Sequence, residues 1–188
     1  MSAEGSWEPD TKDWTWSITR ACADCGFDPA LVQRAQLPEL VHENTRGWYD
    51  VLDGADATVR PAPNVWSPLE YACHVRDVHR LFDERLQLML AEDDPAFGSW
   101  DQDVAAVEER YGEQDPQLVC VELVEAAADV AATYAQVRGD QWRRTGRRND
   151  GSAFTMETLG VYHLHDVTHH LWDVRRQLTG HDDDQGPS

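Results

Sequence analysis

Four long stretches of this chain bring apolar residues round every three or four positions, and none alternates apolar and polar residues long enough to read as a sheet. That periodicity restricts the fold to amphipathic helices packed on one another, so an all-α four-helix bundle is the expected architecture. The first helix opens at Leu37-Pro38, carries Leu40, Val41, Asn44, Trp48, Val51 and Leu52 at helical spacing, and ends near Asp53-Gly54. A loop holding Pro61 and Pro63 follows, and then Ser67-Pro68-Leu69-Glu70, a capping-box pattern, starts a helix reaching about Ala91. Asp93-Asp94-Pro95 breaks the chain. A short helix covers Gln102 to Arg110, and Asp115-Pro116 caps a third long helix to about Arg138. Residues 139–154 read as a polar connection with an Asp-Gly turn, and Thr155 caps a last helix ending near Thr179-Gly180. The expected division is an N-terminal extension with short helices over 1–36, a bundle over 37–180, and an acidic tail over 181–188. There is no internal repeat.

A chain of 188 residues fits one domain with a substantial core. Its 35 acidic against 16 basic residues give a formal charge of −19, which repels phosphate backbones and argues against nucleic-acid and anionic-membrane partners. No apolar run is long enough to span a membrane, and the start, MSAEGSWEPDTKDW, lacks the basic and apolar regions of a signal peptide. A soluble, cytoplasmic protein is therefore expected. Cys22, Cys25, Cys73 and Cys120 are too few and too scattered for a disulfide framework. Cys22-Ala23-Asp24-Cys25 is one CxxC pair without a second. It fits half a zinc site or a redox pair, and equally two structural thiols.

The last helix contains VYHLHDVTHHLWDV, four histidines in eight residues. At about 100° per residue, His165 and His169 lie about 40° apart on one face, beside the apolar arc of Leu164, Val167, Leu171 and Val174. His163, Asp166, His170, Asp173 and Gln177 fall roughly 80–160° round the other way as a polar stripe, so His163 and His170 are expected to face solvent. On the Ser67 helix, His74 shares the apolar sector of Tyr71, Val78, Leu81, Phe82 and Met89. Two histidines at i, i+4 and a third from a facing helix can hold one ion in a bundle core. Spacing alone leaves a metal site and a buried polar network both open.

The run Trp66-Ser67-Pro68-Leu69-Glu70-Tyr71-Ala72-Cys73-His74-Val75, followed about ninety residues on by His165-Asp166-Val167-Thr168-His169, resembles the DinB/YfiT-like metalloenzymes. It is similar also to the related N-terminal domain of mycothiol-dependent maleylpyruvate isomerases. The resemblance covers roughly residues 37 to 180. It implies an up-down-down-up bundle and a divalent ion, zinc or nickel, bound by His74, His165 and His169. It further implies a metal-dependent transferase or isomerase that uses a low-molecular-weight thiol such as mycothiol. Some relatives carry a methyltransferase label, but no glycine-rich strand-to-helix turn for S-adenosylmethionine is present. The lysine-poor, Arg- and Ala-rich composition matches GC-rich, actinobacterial genomes. The segment CADCGFDP, from Cys22 to Pro29, departs from the shortest members.

Three neutral imidazoles leave an ion its charge and an open position, where a thiol would lose its proton, water would be activated or a carbonyl polarised. Arg143, Arg144, Arg147 and Arg148, after Trp142, are candidates to bind an anionic small-molecule substrate, although cations after a helix C-terminus also simply complement its dipole. Trp66, Trp100 with Asp101, and Tyr162 are candidates for the pocket mouth. Asp77 and Tyr162 are the candidate catalytic side chains, with Asp166 as a candidate outer-shell partner. Two readings follow: a metal-dependent enzyme activating a thiol, or a non-catalytic, stress-responsive bundle whose ion is structural. A homodimer is left open.

Overall fold

Pro38 and Glu39 occupy the first turn of helix α1 (Leu37–Asp53), where proline forfeits no helical hydrogen bond and an acidic side chain meets the positive end of the dipole. The computed structural model describes residues 14–182. In helix α2 (Pro68–Ala91) the capping box is formed. The Ser67 hydroxyl accepts the Glu70 N–H at 3.2 Å, and Glu70 Oε2 accepts the Ser67 N–H at 2.8 Å. Asp101 caps the short α3 (Gln102–Glu108), and Asp115 caps α4 (Pro116–Gln136) by accepting the Gln117 N–H at 2.8 Å. Thr155 Oγ1 accepts the Thr158 N–H at 3.1 Å at the start of α5 (Met156–Asp182). Of the expected acidic tail, only the last turn of α5 falls within the description, and residues 183–188 lie outside the described residues.

Contacts between helices give their directions. Leu37 meets Gly160, Asn44 Nδ2 donates to the Val167 carbonyl at 3.2 Å, and Gly47 meets Leu171, so α1 and α5 run parallel. His74 meets His170 and His79 meets His163, so α2 runs opposite to α5. Arg76 pairs with Glu122 and Asp83 accepts from Thr133, so α4 follows α2. The order is up-down-down-up, with α5 packed on both α1 and α2, and α4 on the other side of the same pair. Trp48, Leu69, Leu86, Met89, Leu123, Tyr134, Leu159 and Val167 fill the centre, all buried. Among the described residues no helix is long and apolar enough to cross a membrane.

The absence of sheet expected from the sequence is corrected in one corner. Strands β1 (Ala96–Phe97), β2 (Thr145–Arg148) and β3 (Ala153–Thr155) form a small sheet, β1 parallel and β3 antiparallel to β2. Strands this short carry too few residues for alternation to register. Gly146 lies so close to Phe97 and Met89 that a Cβ there would stand 2.6 Å and 2.9 Å from them. Before α1 the chain runs through short 3₁₀ turns at Thr15–Ile18, Pro29–Leu31 and Arg34–Gln36. The first of these lies against α5, and Trp16, Cys22 and Phe27 join the core.

Candidate metal centres

Two i, i+4 pairs, one residue out of step, leave α5 in different directions. His165 and His169 face the N-terminal segment, where the His165 ring lies 5.8 Å from Trp14, 5.7 Å from Trp16 and 5.3 Å from Phe27. Asp166 and His170 face the first turns of α2, where His170 Nε2 stands 3.0 Å from His74 Nε2. The solvent exposure expected for His163 and His170 is therefore corrected. His163 is wholly buried, its Nδ1 3.0 Å from the Tyr134 hydroxyl and its Nε2 3.0 Å from His79 Nδ1. His170 is half-buried against His74 and Tyr71. The polar stripe faces inward because α1, α2 and the N-terminal segment together leave α5 little free surface.

Among the described residues, two clusters bring metal-binding atoms within 4.8 Å of one another: His74, Asp166 and His170, and Cys22, Cys25, His165 and His169. The sequence-expected trio is thus divided, His74 in one cluster and His165 with His169 in the other. In the first, Asp166 Oδ1 lies 3.8 Å from His74 Nε2 and 3.5 Å from His170 Nε2. Two nitrogens on one tetrahedral zinc ion stand about 3.3 Å apart, so these separations suit a shared divalent ion. Burial pushes His74 down to about 3, which keeps its imidazole neutral and able to bind a metal. Trp100 stacks on the same ring at 5.3 Å and Trp66 lies 5.4 Å away. Asp173 Oδ2 stands 3.9 Å from His170 Nδ1, a carboxylate behind the ring.

His74, Asp166 and His170, together with His165 and His169 of the other cluster, line one cavity of about 830 Å³, whose lining also includes Trp66, Trp100, Asp101, Tyr162 and Arg85. A comparison with family models matches residues 39–174 to the DinB superfamily. The chain belongs to the DinB superfamily. No curated protein matches it. Among solved structures it is similar to YfiT from Bacillus subtilis, described as a probable metal-dependent hydrolase with an unusual four-helix bundle topology. The two share 19% identity over 78% of this chain and 88% of that one, with a TM-score of 0.68. At that identity the likeness establishes the fold.

Around this DinB bundle the arginines divide by structural role. Arg143 is exposed and pairs with Asp140, Arg144 donates to the Met89 and Glu92 carbonyls at the end of α2, and Arg147 pairs with Asp94 at 2.8 Å. None of these three lines the cavity; Arg148 does. Its Nη1 is 3.5 Å from the Tyr162 hydroxyl. Arg85, which sequence reasoning missed, stands in the same wall with Nε buried and lacking a hydrogen-bond partner. Burial, together with the nearby charge of Arg148, lowers it to about 10. Its position on the otherwise apolar sector of Leu81, Phe82 and Met89 was the available signal. Asp77 is no free base: it accepts from Arg76 at 2.9 Å, Arg80 at 3.1 Å and the Tyr111 hydroxyl at 2.6 Å, away from the main cavity.

Proposed function

We propose that this chain is a metal-dependent enzyme acting on a small anionic substrate, with a divalent ion, zinc or nickel, held by His74, Asp166 and His170. The observation that carries the reading is the convergence of two imidazoles and one carboxylate on the wall of a roomy cavity that also holds the buried guanidinium of Arg85. Three protein ligands, only one of them charged, leave an ion net positive charge and open positions, the pattern of catalytic rather than structural sites. When bound, such an ion supplies Lewis acidity, lowering the pKa of a coordinated thiol or water and polarising a carbonyl.

The chain's own residues supply the rest. Trp66 and Trp100 pack on His74 and keep water from its ring. Asp173 places a carboxylate 3.9 Å from His170 Nδ1. Arg85 offers a cation to a carboxylate or phosphate, and a buried guanidinium with an unused donor is stabilised when an anion arrives, while Arg148 beside it is paired with Asp150 at 2.6 Å. The Tyr162 hydroxyl, beside Arg148, adds a donor to the same anion or to a carbonyl next to it. The nucleophile in this reading is a low-molecular-weight thiol of the mycothiol type, for transfer to or isomerisation of an electrophile. The cavity, at about 830 Å³, is at the upper end of small-molecule sites and takes a thiol and its acceptor together. A second reading, hydrolysis with water in the thiol's place, draws support from the description of YfiT.

The test uses tag-free protein loaded with zinc or nickel and assayed in parallel for thiol addition to an unsaturated carboxylate and for hydrolysis of carboxylate amides. His170→Ala should lower kcat/KM by at least the roughly 10–100-fold that loss of an outer-shell partner costs. Arg85→Met should raise KM with a smaller change in kcat. Equal turnover by wild type and His170→Ala would rule the assignment out.

A further inference from the structure

Cys22 and Cys25 play no part in that reading, yet with His165 and His169 they form a complete four-ligand set. We propose that these four residues bind a second ion, zinc in a closed tetrahedral site, which pins the N-terminal segment to α5 and holds it as a wall of the cavity.

The geometry favours this on independent grounds. The four ligand atoms lie within 4.8 Å of one another, and Cys22 Sγ stands 3.6 Å from His169 Nδ1. A sulfur and a nitrogen on one tetrahedral zinc ion stand about 3.6 Å apart, from bond lengths of about 2.3 and 2.05 Å. The loop that carries the cysteines is built for the purpose. The Gly26 N–H donates to the Cys22 carbonyl at 3.0 Å, the Cys22 N–H donates to the Phe27 carbonyl at 2.8 Å, and both thiols are brought to one side. Gly26 holds φ +75°, a conformation that few side-chain-bearing residues tolerate, so CxxCG is a conformational unit here. His165 is 2% exposed and its Nε2 is buried without a hydrogen-bond partner, in a surround of Trp14, Trp16 and Phe27 rings. Such an imidazole is costly to bury unless a ligand employs it. Behind His169, Asp173 Oδ2 lies 3.7 Å from Nε2, which leaves Nδ1 directed at Cys22.

Charge separates the two clusters. As the ion binds, each thiol releases its proton to solvent, and two thiolates with two neutral imidazoles cancel a charge of +2. A neutral, four-coordinate site sits without penalty among tryptophans and has no open position, which makes it structural. The His74 cluster keeps net charge and vacant positions. Trp14, ahead of the pinned loop, and Asp24, within it, line the cavity, so the second ion shapes the space in which substrate binds.

The experiment loads the full chain with zinc, or with cobalt(II) as a spectroscopic substitute, and measures metal content and absorption. Wild type should show the intense near-ultraviolet thiolate-to-cobalt band. Cys22→Ser/Cys25→Ser should hold one zinc ion fewer per chain, lose the band and become more susceptible to proteolysis before residue 37. His74→Ala/His170→Ala should keep the band while losing the other ion, so failure of the catalytic assignment is read separately. Undiminished zinc in the double serine variant would overturn the proposal. So would a cobalt-loaded wild type without the thiolate band, a measurement that stands even if the serine variant does not fold. A Cys22–Cys25 disulfide in freshly purified, zinc-free protein would also overturn it.

Discussion

His79 and His163 form a buried imidazole pair at 3.0 Å, extended by the Tyr134 hydroxyl. The groups around His79 are His163 on α5, Tyr134 on α4 beyond it, Asp83 acting on Tyr134, and His42 on α1, whose charge opposes protonation of His79. Burial pushes His79 down from 6.5 to about 3. Between those values the unfolded chain binds a proton that the folded chain rejects. This contribution to stability is therefore complete above about pH 6.5 and lost as pH falls toward the folded value, at up to about 1.4 kcal/mol per pH unit. His79→Asn, which keeps an amide near the position of Nδ1, should be less stable at pH 7 yet lose less stability between pH 7 and 5 than wild type. Urea titrations at the two pH values check it, and parallel losses in the two proteins would contradict it. The same residues explain where helix periodicity misled. His163 and His170 belong to a polar stripe, and a stripe of histidines and aspartates reads the same whether it meets water or lines a buried site. Asp166 and His170 repeat the i, i+4 spacing of His165 and His169, so spacing could not say which pair joins His74.

Helix boundaries were legible because their caps are local chemistry: Ser67 with Glu70, Asp115 before Pro116, and Thr155 all act where the sequence places them. What escaped were partners supplied by distant segments. Arg144 reads as a loop cation and serves instead as a donor to the carbonyls ending α2, while Arg147 is committed to Asp94. Helix contacts were also set by residues whose role is to be small. Gly160 on α5 is met by side chains from α1 and α4, and a Cβ there would stand 2.6 Å from Leu37 and 3.2 Å from Tyr134. Gly160→Ala should therefore destabilise the bundle by about 1–3 kcal/mol despite alanine's better helix propensity. A raised melting temperature for that variant would show that the contact yields freely.

At the scale of the molecule, the four-helix architecture and its up-down-down-up order follow from apolar periodicity and the family pattern, and the interhelical contacts bear both out. The small sheet did not follow, because two to four residues per strand leave no period to detect. Nor did the seating of residues 14–36, since CxxC becomes informative only when folding brings it to His165 and His169. The fold thus places two ligand sets of different composition on neighbouring faces of α5, two cysteines with two histidines and two histidines with one aspartate, with Asp173 near a histidine of each. The most direct test is anomalous diffraction at the zinc edge from crystals of zinc-loaded protein. Two peaks are expected, one among Cys22, Cys25, His165 and His169, and the other among His74, Asp166 and His170. A single peak shared by His74, His165 and His169 would contradict the division.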